Sequence, residues 1–103
     1  MKDYIETPKI GEILYEEFMK PLGVSSYRLA KDIDVPVSRI QDILHDRRRM
    51  TADTSVRLAK YFGLSERFFI DIQTDIEIRE AKLKSITAIE RIVPFHEMAY
   101  GKG

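Results

Sequence analysis

The sequence contains no cysteine, and its other scarcities exclude further classes of protein. Without cysteine there is no disulfide, no thiolate nucleophile and no cysteine-ligated zinc site, and such a chain suits a reducing, cytoplasmic compartment. The longest stretch without Asp, Glu, Lys or Arg is Pro21–Tyr27, which is too short for a membrane helix or a signal-peptide core. Only 5 Gly and 4 Pro occur among 103 residues, and 44% of the residues are hydrophobic. We therefore predict one folded domain rather than a disordered chain.

Groups that could carry catalysis are also scarce. Besides cysteine, the chain lacks a glycine-rich phosphate loop, and its two histidines, His45 and His96, belong to no catalytic arrangement. The two histidines are too far apart in sequence to form a helical metal-binding pair. We therefore predict a protein that is not an enzyme and that requires no metal and no cofactor.

The charge is balanced overall but unevenly distributed. The 17 basic and 17 acidic residues give a net charge of zero, which by itself gives no sign of a polyanionic partner. By segment, residues 1–24 have a net charge of −2, residues 25–60 have +3 and residues 61–103 have −1. The basic excess is therefore confined to the middle of the chain.

Hydrophobic residues recur at helical spacing and predict five helices, or six if the tail adds one, whereas no segment alternates for long with the period of a strand. The predicted helices are Ile10–Lys20, Ser26–Ile33, Pro36–His45, a fourth from its Thr51 cap to Phe62, a fifth from its Ser65 cap to Leu83, and a tail helix over Ile86–Val93. The residues predicted to end helices are Gly23, Asp34, Gly63 and Pro94. Either Ser25 or Ser26 is expected to cap the second helix.

Two short predicted helices joined by a tight turn, Ser26–Ile33 and Pro36–His45, form a candidate helix-turn-helix. Ala30 is small enough for the second helix to cross closely over the first, and Ile40 and Ile43 are expected to hold that helix against the core. One face of the second helix then points outward, in a shape that fits the DNA major groove. The residues predicted to read bases from this face are Val37, Ser38, Arg39, Gln41 and Asp42.

Basic and polar residues flank this candidate reading helix where a phosphate backbone would pass. The residues predicted to contact phosphate are Ser26, Tyr27, Arg28, His45, Arg47, Arg48 and Arg49. Such contacts supply affinity but carry no sequence information. A solvated basic loop is the alternative interpretation of the three consecutive arginines.

Recognisable motifs extend from about Ile10 to Arg79. They are Gly11-Glu12-Ile13-Leu14, Glu16-Glu17-Phe18, Pro21-Leu22-Gly23, Tyr27-Arg28-Leu29-Ala30-Lys31, Val35-Pro36, Ser38-Arg39-Ile40, Thr51-Ala52-Asp53-Thr54, Arg57-Leu58-Ala59, Tyr61-Phe62-Gly63 and Phe68-Phe69-Ile70-Asp71-Ile72-Gln73. With these motifs the chain resembles the HigA-type antitoxins, also called VapI, a branch of the Xre/Cro-like helix-turn-helix proteins. It departs from them at Lys9-Ile10, where His-Pro is usual, at Asp34, where the turn usually has Gly, and at Phe69, where Trp is usual.

The resemblance implies an all-α, lambda-repressor-like bundle with a central helix-turn-helix over residues 1–82, followed by a tail over residues 83–103. It also implies a type II antitoxin that dimerises, binds a palindromic operator, represses its own operon and sequesters a RelE-like toxin that cuts messenger RNA. A protein of this kind would be located at its operator on the nucleoid. The tail, which matches no motif of the family, is expected to form a short helix or a dimerisation segment.

Two other functions are compatible with the same sequence. One is a stand-alone or phage-type regulator without a toxin, and the other is a protein-interaction module that uses the fold as a scaffold. A two-fold operator calls for a dimer, and we place its contact on the fifth helix and Leu83–Phe95. The acidic residues Glu12, Glu16 and Glu17 could meet a basic toxin, although a solvated helix face explains them as well.

Overall fold

The computed structural model describes the backbone of residues 7–100 and the side chains of residues 7–97. This part of the chain is helical and contains no strand, which confirms the predicted all-α class. The first helix, α1, spans residues 10–22. The helices that follow are α2 (Ser26–Ile33), α3 (Val37–Leu44), α4 (Ala52–Phe62), α5 (Phe68–Lys84), α6 (Ile86–Glu90) and α7 (Phe95–Tyr100). None of the described helices is both long enough and apolar enough to cross a membrane.

The middle of α1 is a π-helix, a feature that the sequence pattern does not predict. It covers Leu14–Met19, between the α-helical parts Ile10–Ile13 and Lys20–Leu22. Because π-helical hydrogen bonds join residues five apart, Leu14 and Met19 share one side of the helix, and both are buried. The half-buried Phe18 packs at ring-centroid distances of 5.3–5.6 Å from Phe62, Phe68 and Phe69. The wider turn therefore joins α1 to the aromatic side of the bundle.

Local hydrogen bonds begin the helices nearly as predicted. Ser25, rather than Ser26, accepts the Arg28 N–H through Oγ at 3.1 Å, and Thr51 accepts the Thr54 N–H at 3.2 Å. Two boundaries differ from the prediction. Pro36 lies one residue before α3 as its N-cap, and Ser65 accepts the Arg67 N–H before α5 begins at Phe68. Both differences are small shifts of a helix start, within the usual variation of such boundaries.

The predicted stops at Gly23, Asp34 and Gly63 are confirmed, since each has a left-handed backbone with φ of 66°, 60° and 71°. In each case the next residue donates its N–H back to a carbonyl inside the helix, which satisfies an acceptor that a helix end leaves free. Asp46, at φ 59°, ends α3 in the same way, although the sequence did not indicate this stop.

Side chains of the five helices α1 to α5 form the core, at positions that the helical spacing of hydrophobic residues predicts to be buried. Leu14, Leu29, Ile40 and Leu58 are fully buried, and Phe69 and Ile76 of α5 also pack inside. The helical spacing of Val56, Leu58, Ala59 and Phe62 predicts that α4 buries all four, but Val56 is 45% exposed, and α4 instead buries its neighbours Thr54 and Ser55. The buried face of α4 is therefore rotated from the one that hydrophobicity alone indicates.

The tail forms two short helices rather than the single predicted one. α6 ends at Glu90, and Pro94 precedes α7 instead of ending a helix, because proline fits readily beside a helix start. Residues 98–103 are predicted to fray, as chain ends commonly do. The backbone of residues 98–100 is instead helical, and residues 101–103 lie outside the described part. α5 continues without a break across the predicted boundary between residues 82 and 83.

The backbone of α1 lies directly against the end of α3 at Gly11. A β-carbon on Gly11 would overlap the carbonyl oxygen of Ile43 and lie 2.9 Å from the Cα of Leu44. Both of those atoms belong to the backbone, so no side chain can rotate away to make room. Glycine at position 11 is therefore required for α3 to sit at its observed distance from α1.

We expect Gly11→Ala to lower the free energy of unfolding by about 1–3 kcal/mol, because the added methyl forces the two helices apart. Thermal unfolding followed by circular dichroism measures the change. Glu17→Ala, on an exposed position of the same helix, is the control and should change stability by less than about 0.5 kcal/mol. An unchanged melting temperature in Gly11→Ala would show that the α1–α3 contact is loose.

Candidate nucleic-acid interface

The helix-turn-helix forms as the spacing predicts. Ala30 is 3% exposed where α3 crosses α2, and Ile40 and Ile43 are buried against the core. Between the helices, Asp34 adopts the left-handed conformation, and the Val35 N–H donates to the carbonyl of Ala30 at 3.0 Å. Asp34 thus performs the role usually given to glycine, which is consistent with the tolerance of Asp for this conformation.

Arg57 of α4 stabilises this turn, a role that the sequence did not reveal. Its Nη1 donates to the carbonyl oxygens of Ile33 at 2.8 Å and Asp34 at 3.3 Å, while its Nε donates to Asp53 at 3.0 Å. The carbonyls at the end of α2 lack partners within their own helix, so a cation placed there both satisfies them and complements the helix dipole. Arg57 therefore fixes the angle between α2 and α3.

The outward face of α3 carries the residues predicted to read bases. Ser38 is exposed, whereas Val37, Arg39, Gln41 and Asp42 are half-buried. Val37 packs partly against the core, so only part of its side chain is available to a partner. The Nε of Arg39 is buried and has no hydrogen-bond partner among the described residues. This face is therefore partly packed against the rest of the protein, and Ser38 is its most exposed member.

The residues predicted to contact phosphate at the beginning of α2 differ in exposure and in their partners. Ser26 is half-buried, Tyr27 is 70% exposed, and Arg28 is exposed. The Nε of Arg28 donates to Asp32 at 2.7 Å, and the hydroxyl of Tyr61 donates to the same carboxylate at 2.7 Å. The hydrogen bond from Tyr61, followed by that from Arg28, lowers the pKa of Asp32. Asp32 is therefore ionised at neutral pH and balances the charge of Arg28.

The three loop arginines, which the sequence presents as equivalent, have different surroundings. Arg47 forms an ion pair with Asp42 at 3.0 Å. Arg49 donates two hydrogen bonds to Glu77 of α5, both at 2.9 Å. Arg48 is exposed and has no carboxylate within 4 Å among the described residues. His45, at the end of α3, is also exposed.

A buried glutamine holds the loop that carries these arginines. Gln73 of α5 is 2% exposed, and its Oε1 accepts the Met50 N–H at 2.6 Å while its Nε2 donates to the Met50 carbonyl at 2.8 Å. Met50 is itself fully buried, so these bonds satisfy two backbone groups that water cannot reach. Gln73 lies in one of the recognised motifs, but nothing in the sequence pattern reveals its partner.

The described residues contain no group of three or more His, Asp or Glu side chains placed to hold a metal ion. The residues predicted to contact DNA lie on the outward face of α3, at the start of α2 and in the arginine loop that follows α3. Along the chain, Arg28 precedes α3 and the three loop arginines follow it. This arrangement suits recognition of a duplex, with contacts to bases in the middle and to phosphates at the edges.

Comparison with known proteins agrees with this geometry. The family model described as helix-turn-helix matches residues 16–69. Virulence-associated protein I of Dichelobacter nodosus is 43% identical over an alignment of 88 positions that covers 82% of this chain and 82% of that protein.

Two solved structures share the fold. An addiction module antidote protein of the HigA family from Coxiella burnetii has a TM-score of 0.80 at 37% identity and covers 88% of this chain and 100% of its own. Pseudomonas aeruginosa antitoxin HigA with the higBA promoter has a TM-score of 0.79 at 29% identity, with coverages of 85% and 97%. The chain therefore belongs to the Xre/Cro-like helix-turn-helix family, in the branch of HigA/VapI-type antitoxins.

Proposed function

We propose that this protein is a dimeric antitoxin that binds operator DNA in a sequence-specific manner, represses its own operon and neutralises an RNA-cutting, RelE-like toxin. The observation that carries the DNA-binding part is the exposed face of α3 between the start of α2 and the arginine loop. The solved HigA structure with its promoter supports the same use of the fold.

In this proposal α3 lies in the major groove and reads bases. Arg39 can donate two hydrogen bonds to guanine and Gln41 can pair with adenine, while Ser38, Asp42 and the exposed part of Val37 contact neighbouring base edges. Since Gly11, Ala30 and Arg57 fix the position of α3, these side chains approach the groove from a rigid support. Rigid presentation favours discrimination between sequences, because a misplaced base cannot be accommodated by moving the helix.

Phosphate contacts come from the two sides of α3 in this arrangement. Ser26, Tyr27 and Arg28 would meet one strand, and His45 with Arg47, Arg48 and, to the extent that Glu77 releases it, Arg49 would meet the other. Arg48 is the loop arginine that can contact a phosphate without first breaking an ion pair, because it has no competing carboxylate among the described residues. Contacts of this kind release counterions and make binding dependent on salt.

We expect Arg39→Ala and Gln41→Ala each to reduce discrimination between operator and random duplex by about 1–3 kcal/mol, because each removes a base contact. Fluorescence anisotropy with the duplex upstream of the protein's own gene, over a range of salt concentrations, measures both affinities.

Arg48→Ala is the matched comparison within the same surface. It should weaken binding to every duplex alike and lower the salt slope by about one. If wild-type protein binds operator no better than random duplex, the repressor function is wrong. If Arg39→Ala instead weakens all sequences equally, Arg39 contacts phosphate and the orientation of α3 in the groove must be revised.

For the dimer, we propose that a second copy covers the apolar residues at the end of the chain. Those exposed by 43–80% are Ile78, Leu83, Ile86, Ile89, Ile92, Val93 and Phe95, and we call them the tail patch. So many exposed large apolar side chains on adjacent helices are unusual for a monomer and typical of an interface. A two-fold contact here would also place two α3 helices against the two halves of a palindromic operator.

Ile86→Glu with Ile89→Glu should convert the dimer to a monomer in sedimentation velocity. Burying the new charges would cost several kcal/mol, which corresponds to more than about a hundredfold increase in the dimer dissociation constant. Leu22→Glu alters an apolar side chain of α1 that is 64% exposed outside the tail patch, and it should leave the dimer intact. A dimer that survives the double substitution would place the contact elsewhere.

Toxin neutralisation rests on the family and on the acidic side of α1. Glu12, Glu16 and Glu17 are exposed there. Glu12 also accepts the Lys9 N–H at 3.0 Å, and Glu16 Oε1 accepts from Lys20 Nζ at 3.5 Å. RNA-cutting toxins are usually basic, so opposite charge would speed their association with this face.

Co-expression with the small basic protein encoded beside this gene should rescue growth from that protein's toxicity. Glu16→Lys with Glu17→Lys should slow association by about tenfold or more, because it reverses the charge of the contact face. Arg48→Ala, which leaves the acidic residues of α1 unchanged, should leave rescue unchanged. A neighbouring gene product that is harmless, or the absence of such a gene, would instead indicate a stand-alone regulator.

A further inference from the structure

The contact between Arg49 and Glu77 is not needed for the proposed DNA binding, and it competes with that binding. Arg49 belongs to the basic loop, yet its Nε and Nη2 both donate to the carboxylate of Glu77 at 2.9 Å, 28 residues away on α5. This two-pronged geometry is the one with which arginine also binds a phosphate. While Glu77 occupies both donors, Arg49 cannot use them on DNA.

The surroundings hold the two partners together without burying them. Gln73 lies one helical turn before Glu77 and binds the backbone of Met50, the residue after Arg49. A cleft of about 220 Å³ opens beside the pair, between the arginine loop and α5. The fixed backbone keeps Glu77 within reach of Arg49, and the cleft gives the guanidinium room to turn away from it.

The energies of the two competing contacts are similar. The side chains of Arg49 and Glu77 are 57% and 43% exposed, and ion pairs at such exposure change an equilibrium constant by about fivefold at most. A phosphate contact in roughly 0.1 M salt gains a factor of up to about eight in affinity through counterion release. The carboxylate can therefore remove much of the gain that Arg49 would bring, but it cannot block the contact absolutely.

We propose that Glu77 sets the overall affinity for DNA, because it keeps Arg49 from DNA phosphates and so weakens binding to duplexes of every sequence. The inference rests on the proposed DNA-binding function. Phosphate contacts strengthen binding to every sequence, whereas base contacts strengthen binding to the operator alone. A carboxylate that offsets one phosphate contact thus lowers the affinity for operator and random duplex by the same factor and leaves the reading face unaltered.

The test compares Glu77→Gln with Asp71→Asn for binding to a random-sequence duplex across a salt series. Asp71 is an exposed carboxylate of the same helix that pairs with Arg67 at 3.1 Å, so its substitution releases an arginine with the same change in charge. We expect Glu77→Gln to raise affinity several-fold, up to about eightfold, and to steepen the salt slope by up to about 0.9. Asp71→Asn should have a much smaller effect, because Arg67 lies at the start of α5 and outside the proposed DNA surface.

Arg49→Ala and the double variant Glu77→Gln with Arg49→Ala complete the cycle. When Glu77 is present, Arg49→Ala should leave the salt slope close to that of the wild type. The double variant should also have a slope close to that of the wild type, because no arginine remains at position 49 to be released. Equal effects of Glu77→Gln and Asp71→Asn, or a slope lowered by about one in Arg49→Ala alone, would overturn the role of Glu77 while leaving DNA binding intact. Failure of the wild type to bind any duplex would overturn the proposed DNA binding itself. Should Glu77→Gln unfold, as judged by circular dichroism, the slope of Arg49→Ala still decides the question.

Discussion

The two hydrogen bonds between Gln73 and the backbone of Met50 are the interaction on which the rest of the interface depends. The chain must leave the exposed end of α3, pass through the core at Met50 and emerge to begin α4. A buried backbone is tolerated only if its polar groups are paired, and the Gln73 amide supplies one acceptor and one donor at the required place. The arginine loop therefore has a fixed position relative to α5, and the Arg49–Glu77 contact follows from it.

Close packing fixes α3 from its other sides. The backbone of α1 contacts it at Gly11, α2 crosses it at Ala30, and Arg57 holds the turn between α2 and α3. Gly11 and Ala30 must be small, because the helices approach closely there. Arg57 supplies the N–H donors that the carbonyl oxygens of the turn need. The consequence is a reading face whose orientation is set before any partner binds, which lowers the entropic cost of recognition.

The zero net charge of the chain arises because acidic segments elsewhere offset the basic excess of residues 25–60. Within the proposed DNA surface, carboxylates also pair with individual arginines. Arg28 contacts Asp32, Arg47 contacts Asp42 and Arg49 contacts Glu77, so a local excess of positive charge coexists with largely compensated cations. Such a surface does not attract DNA by bulk charge. In the proposed function, base contacts from α3 would therefore decide which duplex is preferred.

Local sequence alone determined the elements whose causes lie within a few residues: the all-helical pattern, the Ser25 and Thr51 caps, the left-handed stops at Gly23, Asp34 and Gly63, and the burial of Ala30, Ile40 and Ile43. Their hydrogen bonds and periodicity are contained in short stretches of chain, so residue type and spacing suffice. Only the tertiary structure decided the π-helical turn of α1, the exposure of Val56, and the partners of Met50, Arg49 and the α2 carbonyls. Those partners lie more than 20 residues away, and many polar residues could have supplied them. The choice was made by which helix faces come together when the core closes, and no local pattern contains that information.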